Sequence, residues 1–298
     1  MIKQISVLLI VGSLFLFATT ESLANSGLVI SFQERDQTGF FDYILYYPYS
    51  SQVISKVSLP QDQLIKIINL KYHFTNKKDF IRLQYGGTGV KFKGEGSDSD
   101  WTIVGSDIVT DYGVFSTYGE QKVAAVEFGK AIIGNEIQQV DLVIGLVRQE
   151  TANELKNIVY HLIDGENVGA QTQPDNGSYL DGEFSGLVAG VNHALTLGKK
   201  LILTNELNIS FLSAKAYGHW ANYTPAWNWE NRGRTVSYGA TIGLRYNLND
   251  KVQAELGYIY SYAKFTGCRE TLNGDLVVQK VDLEYERKGL HLGLVLLF

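Results

Sequence analysis

The sequence predicts an all-β fold, a transmembrane antiparallel β-barrel of ten strands. In the last segment, residues 289–298, apolar residues occupy alternate positions and the final residue is aromatic. Several earlier segments repeat this two-residue period. The chain also contains 18 Tyr and 14 Phe but only 4 Pro. Closed barrels with an apolar outer band and a polar lumen produce this combination.

Residues 1–24 predict a secretory signal peptide, which leaves residues 25–298 as the exported barrel. Lys3 supplies the positive charge, an apolar stretch follows, and Ser22 and Ala24 form a small-x-small cleavage site. The apolar stretch is shorter than the roughly 20 residues that a membrane-spanning helix needs. We therefore expect cleavage after Ala24 and export to the outer membrane of a Gram-negative cell.

The strands are predicted from alternation along the chain, and residues 236–248 show it most clearly. There Val, Tyr, Ala, Ile and Leu lie on one face, while Ser, Gly, Thr, Arg and Asn lie on the other. Ten segments have this character, an even number, as a closed antiparallel barrel with both termini on one side requires. They are residues 28–48, 54–74, 79–93, 119–133, 139–160, 182–197, 200–217, 235–248, 251–266 and 278–298.

The connections between these strands alternate between short and long. Tight turns are predicted on the periplasmic side at residues 76–78, 134–135, 198–199 and 249–250, and long outer loops at residues 94–118, 161–181, 218–234 and 267–277. Several strands exceed the about 10 residues that cross a membrane, so the barrel should project beyond the lipid. Paired charges should fill the narrow lumen, which disfavours an open pore; the inward positions include Arg82, Glu206, Arg245, Glu255 and His291.

Composition limits the partners that the chain can have. A formal net charge of −5 gives no reason to expect nucleic-acid binding. The single cysteine, Cys268, excludes an intramolecular disulfide framework, and the lack of Cys/His clusters disfavours a structural zinc site. We expect a monomer in contact with outer-membrane lipid, with no metal.

A chemically distinctive segment, Gly-Glu-Gly-Ser-Asp-Ser-Asp-Trp, occupies residues 94–101 at the start of the first predicted outer loop. On an extended backbone Asp98 and Asp100 point to the same face. Two neighbouring carboxylates resist simultaneous ionisation, so the pKa of one should rise. The pair could hold a shared proton or a water, but an acidic solvated loop or a weak calcium site would have the same sequence.

This motif, following an alternating strand in a ten-stranded exported barrel, resembles the omptins, outer-membrane endopeptidases of Gram-negative bacteria. The resemblance implies an Asp-x-Asp pair that faces an Asp-x-His pair across the barrel mouth, with a catalytic water between an aspartate and the histidine. The first pair corresponds to Asp98 and Asp100. The histidine corresponds to His219, and His161 is the second candidate for it. The resemblance also implies lipopolysaccharide on the outer barrel wall as an activating lipid, and no other cofactor.

Two features of the sequence depart from the omptin pattern. Tyr217 stands where the resemblance implies the aspartate two residues before the histidine, and Lys215 stands where an acidic residue would seat a basic substrate side chain. Asp42 on the first strand is an approximate match to a second acidic residue of that kind. The residues expected to contact substrate are therefore Asp42, Tyr217 and Trp220, and specificity for basic residues does not follow.

The sequence supports three functional hypotheses. The first is an omptin-like endopeptidase, with Asp98, Asp100 and His219 as catalytic residues and a peptide or host surface protein as partner. The second is a barrel of the same fold without enzymatic activity, acting as an adhesin or surface antigen. The aromatic and Asn-rich residues 219–234 favour it, because flat rings and amides suit glycan stacking. The third is a small porin.

Overall fold

The protein is described here by a computed structural model, which covers residues 27–74, 78–89, 91–103, 106–173, 177–221 and 225–298. The predicted signal peptide lies outside these residues. Among the described residues, no helix has the length and hydrophobicity to cross a membrane. The regular structure is β-strand: β1 Leu28–Tyr46, β2 Val53–Pro60, β3 Gln63–His73, β4 Asp79–Thr88, β5 Phe92–Asp100, β6 Asp111–Gly134, β7 Gln138–Ile163, β8 Glu166–Thr172, β9 Tyr179–Thr196, β10 Leu201–Trp220, β11 Trp227–Asn247, β12 Val252–Leu272 and β13 Asp275–Leu297.

Ten of these strands close into an antiparallel ring in the order β1, β3, β4, β6, β7, β9, β10, β11, β12 and β13, which pairs back to β1. The other three extend the wall at its outer end. β2 and β3 pair with successive parts of β1, so together they form one staggered wall position beside it. In the same way β4 and β5 pair with successive parts of β6. β8 forms a hairpin with β7. The predicted ten-stranded barrel is confirmed.

Most strands extend further at their outer ends than predicted, although β1 ends at Tyr46 and not at residue 48, and the outer connections are correspondingly shorter. The predicted loop at 94–118 is reduced to residues 101–110, because β5 continues to Asp100 and β6 begins at Asp111. β12 and β13 likewise leave only residues 273–274 between them. Above the bilayer the outer face of a strand meets water, so the apolar alternation that marks a membrane strand fades although the strand continues. The reversals predicted at 134–135, 198–199 and 249–250 lie where they were predicted, whereas residues 76–77 of the turn predicted at 76–78 lie outside the described residues.

An apolar belt surrounds the half of the barrel that contains the start of β1 and the end of β13. On β10 its outward side chains include Leu207, Ile209 and Phe211, which are 62%, 44% and 59% exposed. From Leu201 to Phe211 the strand rises about 25 Å, given about 3.3 Å per residue and a tilt of about 40°. This height matches the apolar band of membrane barrels. Beyond Phe211 the outward residues are polar, and β10 continues for a similar distance to Trp220.

The barrel interior has two layers. At the level of the belt it is filled by ion pairs, among them Arg82 with Glu127 and Glu206, as the sequence predicted. Above the belt the opposite walls pack together around an apolar core. Phe184 lies at its centre, with its ring 5.0–5.8 Å from three other aromatic rings, those of Phe41, Phe265 and Tyr285.

Candidate functional site

Asp98 and Asp100 lie on β5, at the outer end of the barrel and well above the apolar belt. The sequence placed them in a loop, but here they are on a paired strand: Asp98 is opposite Val57 of β2 and Gly113 of β6. Asp100 is opposite Asp111 of β6. As predicted, both aspartates share a face, and that face is the barrel interior, where Asp98 is 5% exposed.

The local environment favours the neutral form of these carboxyl groups. Burial, and then the charges of Asp100 and Asp111, hold the pKa of Asp98 well above its usual range, although the backbone amide of Ser99 partly offsets this. Burial also raises the pKa of Asp100. One oxygen of Asp98, Oδ1, is buried with no hydrogen-bond partner among the described residues. A rise in pKa within this pair agrees with the expectation from the sequence.

A second acidic group, formed by Tyr43 and Glu270, lies inside the same mouth. The Tyr43 hydroxyl donates to Oε2 of Glu270 over 2.6 Å, and the Tyr43 ring is 5.9 Å from that of Trp229. Burial raises the pKa of both groups, and the Glu270 charge raises that of Tyr43 further. Sequence reasoning missed Glu270 because it assigned residues 267–277 to a loop.

No metal-binding arrangement accompanies these acids. Among the side chains that the structure describes, no group of three or more His, Cys, Asp and Glu residues could hold a metal ion. The mouth contains the buried carboxyl groups of Asp98, Asp100 and Glu270, and the raised pKa of each favours its protonated form.

His219 faces the outside of the barrel, so the structure does not bring it together with Asp98 and Asp100. Its Nδ1 is 2.6 Å from Oδ1 of Asn228, and its ring stacks on Tyr179 with 5.5 Å between centroids. The reason is the two-residue period of β10. Phe211 points to lipid, and His219 lies an even number of residues further along the same uninterrupted strand.

The inner face of this arm of β10 carries small residues and an indole. Ala214, Ala216 and Gly218 point inward, and a Cβ at position 218 would overlap the ring of Trp229. Trp220 is 6% exposed and packs edge-on against Phe115 and Trp229, each at 6.2 Å. Trp220 is therefore part of the core, which corrects its assignment as a residue that contacts substrate.

Asp42 is also placed differently from the expectation. It alternates with the inward residues Phe41 and Tyr43, so its side chain lies on the outer wall. Its carboxylate forms an ion pair with Lys56 at 2.7 Å and accepts a 2.6 Å hydrogen bond from Ser58. Asp42 already has a cationic partner and does not face the mouth, so the geometry gives no support to a role in seating a basic substrate side chain.

The remaining sequence candidates are also on the outer surface. Tyr217 is 36% exposed and lies beside His219 on the outer wall, on the same face as Lys215. His161 stacks on Tyr112 at 6.2 Å, and its Nδ1 is 3.1 Å from the carbonyl oxygen of Gly169 in the β7–β8 hairpin. Neither histidine faces the buried aspartates.

The outer wall near the tip of β10 instead forms a continuous polar and aromatic surface, which we call the rim platform. It consists of Tyr179, Tyr217, His219 and Asn228, on three adjacent strands. The platform is held by Asn273 in the turn between β12 and β13, whose Oδ1 accepts from the backbone amide of Asn228 at 3.0 Å. Such rings and amides can bind a ligand by stacking and hydrogen bonding.

Comparison with known proteins identifies the fold. No family model and no curated protein sequence matches the chain. Among solved structures it is similar to the outer membrane protease OmpT from Escherichia coli, with a TM-score of 0.82 and 11% identity over 91% of this chain and 97% of that one. The translocator domain of the autotransporter NalP from Neisseria meningitidis gives a TM-score of 0.42 at 10% identity, covering 99% and 98% of the two chains.

The chain therefore has an omptin-like fold, that of an outer-membrane β-barrel. At 11% identity the similarity to OmpT extends to the fold alone.

Proposed function

We propose that this protein is an outer-membrane surface barrel that recognises ligands through its external rim and does not cleave peptides with a histidine-bound water. The single observation that carries the proposal is the direction of His219. It lies on the outer wall in the rim platform, while Asp98 and Asp100 face inward. A water cannot bridge groups on opposite faces of one wall.

The packing of the mouth supports the same conclusion. Omptin-like catalysis requires a peptide to enter between the two walls, but an apolar core fills that space. Gly218 and Trp220 occupy the inner face beside His219, and Trp229 covers them. Admitting a peptide would require this aromatic packing to separate.

The rim platform suits a carbohydrate ligand. Tyr179 and Tyr217 are 38% and 36% exposed, which leaves ring surface for sugar C–H groups. Asn228 supplies an amide beside them, fixed by Asn273. The platform lies above the apolar belt, so in an outer membrane it would face the exterior.

Binding to immobilised glycans tests this proposal. The barrel, refolded in detergent, should bind a subset of neutral glycans, and Tyr179→Ala should weaken that binding at least about fivefold, since one stacked ring contributes about 1 kcal/mol or more. Tyr49→Asn is the matched control, because Tyr49 is 98% exposed on a different rim segment and its φ of 61° suits Asn. Equal binding by wild type and Tyr179→Ala, or no glycan binding at all, would contradict the assignment.

A hydrolase is the second candidate, favoured by the buried Asp98 and Asp100 pair, in which a neutral acid beside a carboxylate could act on a water. A peptide library distinguishes the two proposals. A hydrolase of this kind keeps its activity in His219→Ala and loses it in Asp98→Asn, whereas the surface barrel releases no fragments in any of the three proteins. Lipopolysaccharide on the outer wall stays a prediction, tested by repeating both assays with and without it.

A further inference from the structure

The charged layer inside the barrel contains unequal numbers of cationic side chains and carboxylates. At the level of the apolar belt the inward carboxylates pair with cations: Asp141 with Lys71, Glu127 and Glu206 both with Arg82, and Glu255 with Arg245. Two further guanidinium groups face the same interior, those of Arg35 and Arg287. Among the described residues neither forms a salt bridge, so Arg35 and Arg287 bring the cations of this charged layer to five, against its four carboxylates.

The two arginines differ in how well the protein satisfies them. Arg35 donates from Nε and Nη2 to Oε1 of Gln33 at 3.2 and 2.8 Å. Arg287 is 3% exposed and donates only from Nη1, to Oε1 of Gln149 at 2.9 Å. Its Nε and Nη2 have no hydrogen-bond partner among the described protein atoms. Arg287 is therefore a buried charge with two donors available on one edge of the guanidinium.

The surroundings of Arg287 compensate its charge only weakly. Its guanidinium carbon is 5.1 Å from the centre of the Tyr285 ring, a cation–π contact. Such contacts contribute far less than the cost of burying an unpaired charge. A buried cation therefore needs either an anion or extensive hydration.

A cavity inside the barrel is lined by both arginines. Its volume is about 170 Å³, and Arg35 and Arg287 both line it together with Gln37, Gln121 and Gln149. At about 30 Å³ per water this space accommodates one small anion with a few waters. The unpaired Oε1 atom of Gln37 marks an amide that can reverse and present its N–H₂ group to an anion.

We propose that the barrel interior binds a small inorganic anion of chloride size, held by Nε and Nη2 of Arg287 and balanced by the net positive charge of the lumen. The anion neutralises the interior arginine whose Nε and Nη2 have no acceptor among the described residues, and it thereby stabilises the folded barrel.

Urea unfolding of the refolded barrel in detergent tests the proposal, with chloride exchanged for gluconate at constant ionic strength. Urea is required because guanidinium chloride would itself supply the anion. Above its dissociation constant, each tenfold rise in chloride should lower the unfolding equilibrium constant of the wild type about tenfold. Arg287→Gln should lose this dependence. Arg148→Gln is the control and should retain it, because Arg148 lies on the outer wall and pairs with Glu150 and Glu183.

A second measurement makes the test independent of whether the variant folds. Crystals of the wild type soaked in bromide should show an anomalous peak within hydrogen-bonding distance of the Arg287 guanidinium. An unfolding equilibrium constant that is the same in chloride and in gluconate would overturn the proposal, as would a chloride dependence of that constant that persists in Arg287→Gln. Bromide peaks confined to the outer surface would also overturn it and would leave water as the partner of Arg287.

Discussion

Replacing Phe184 with Ala should destabilise the barrel strongly, because this ring lies at the centre of the apolar core that closes the mouth. Phe184 is 1% exposed, and its ring centroid is 5.8, 5.5 and 5.0 Å from those of Phe41, Phe265 and Tyr285. Removing a fully buried Phe side chain costs about 3–5 kcal/mol, as transfer free energy plus the cavity that remains. Three aromatic contacts are lost together, so we expect a value near the upper end of that range.

Urea titration of the barrel refolded into lipid vesicles, followed by tryptophan fluorescence, measures this change in unfolding free energy. Tyr49→Asn is the control: it also removes an aromatic ring, but from a residue that is 98% exposed, and it should change stability by less than about 0.5 kcal/mol. A cost below about 1 kcal/mol for Phe184→Ala would refute the reasoning, because a ring bordering a water-filled cleft has little to lose.

Three further substitutions test other parts of the structure. Asp98→Asn should stabilise the barrel at pH 8 and have little effect at pH 4. The raised pKa of Asp98 contributes stability at low pH that is lost as the pH rises through the folded-state pKa, whereas the amide of Asn never ionises. An equal effect at both pH values in urea titrations would contradict this. Gly218→Ala should lower the free energy of unfolding by about 1–3 kcal/mol, because the new methyl group overlaps Trp229. Gly134→Ala is the control and should leave it unchanged, because there is open space around Gly134. Equal losses in the two variants would exclude close packing at position 218. Arg82→Met should cost about 3–5 kcal/mol, since it leaves both carboxylate partners of Arg82 unpaired in the lumen, and a cost near zero would show that water screens them.

The membrane part of the fold was predictable from the sequence because lipid imposes an apolar residue at every second position. Segments such as residues 236–248 therefore reveal both the strand and its orientation. Above the belt water contacts the outer wall and the apolar side chains turn inward, where Gly and Ala partly replace them on β10. The alternation weakens there, so residues 94–100 and 267–272 were assigned to loops although they continue as strands.

The orientation of His219 could have been predicted from the period of β10, although the resemblance to the omptins suggested a residue that faces the mouth. The family pattern pointed to this residue through its place near the end of the seventh strand in the ring. The period of that strand already predicted otherwise, because Leu207, Ile209 and Phe211 face lipid and His219 has the same parity. The burial of Glu270 beside Tyr43 depends on contacts between distant strands, which no local pattern encodes.

The reactivity of Cys268 tests most directly whether the mouth is closed by a packed core. It is the single cysteine of the chain, it is 3% exposed within the apolar cluster, and burial raises the pKa of its thiol to about 11. That rise alone reduces the thiolate population about 100-fold. We predict that a water-soluble maleimide modifies folded barrel at least about 100-fold more slowly than urea-unfolded chain, while a Cys268→Ser, His219→Cys variant reacts at the rate of an exposed thiol. Modification of Cys268 in the folded barrel at a rate close to that of the unfolded chain would mean that water fills the mouth, and it would contradict the account.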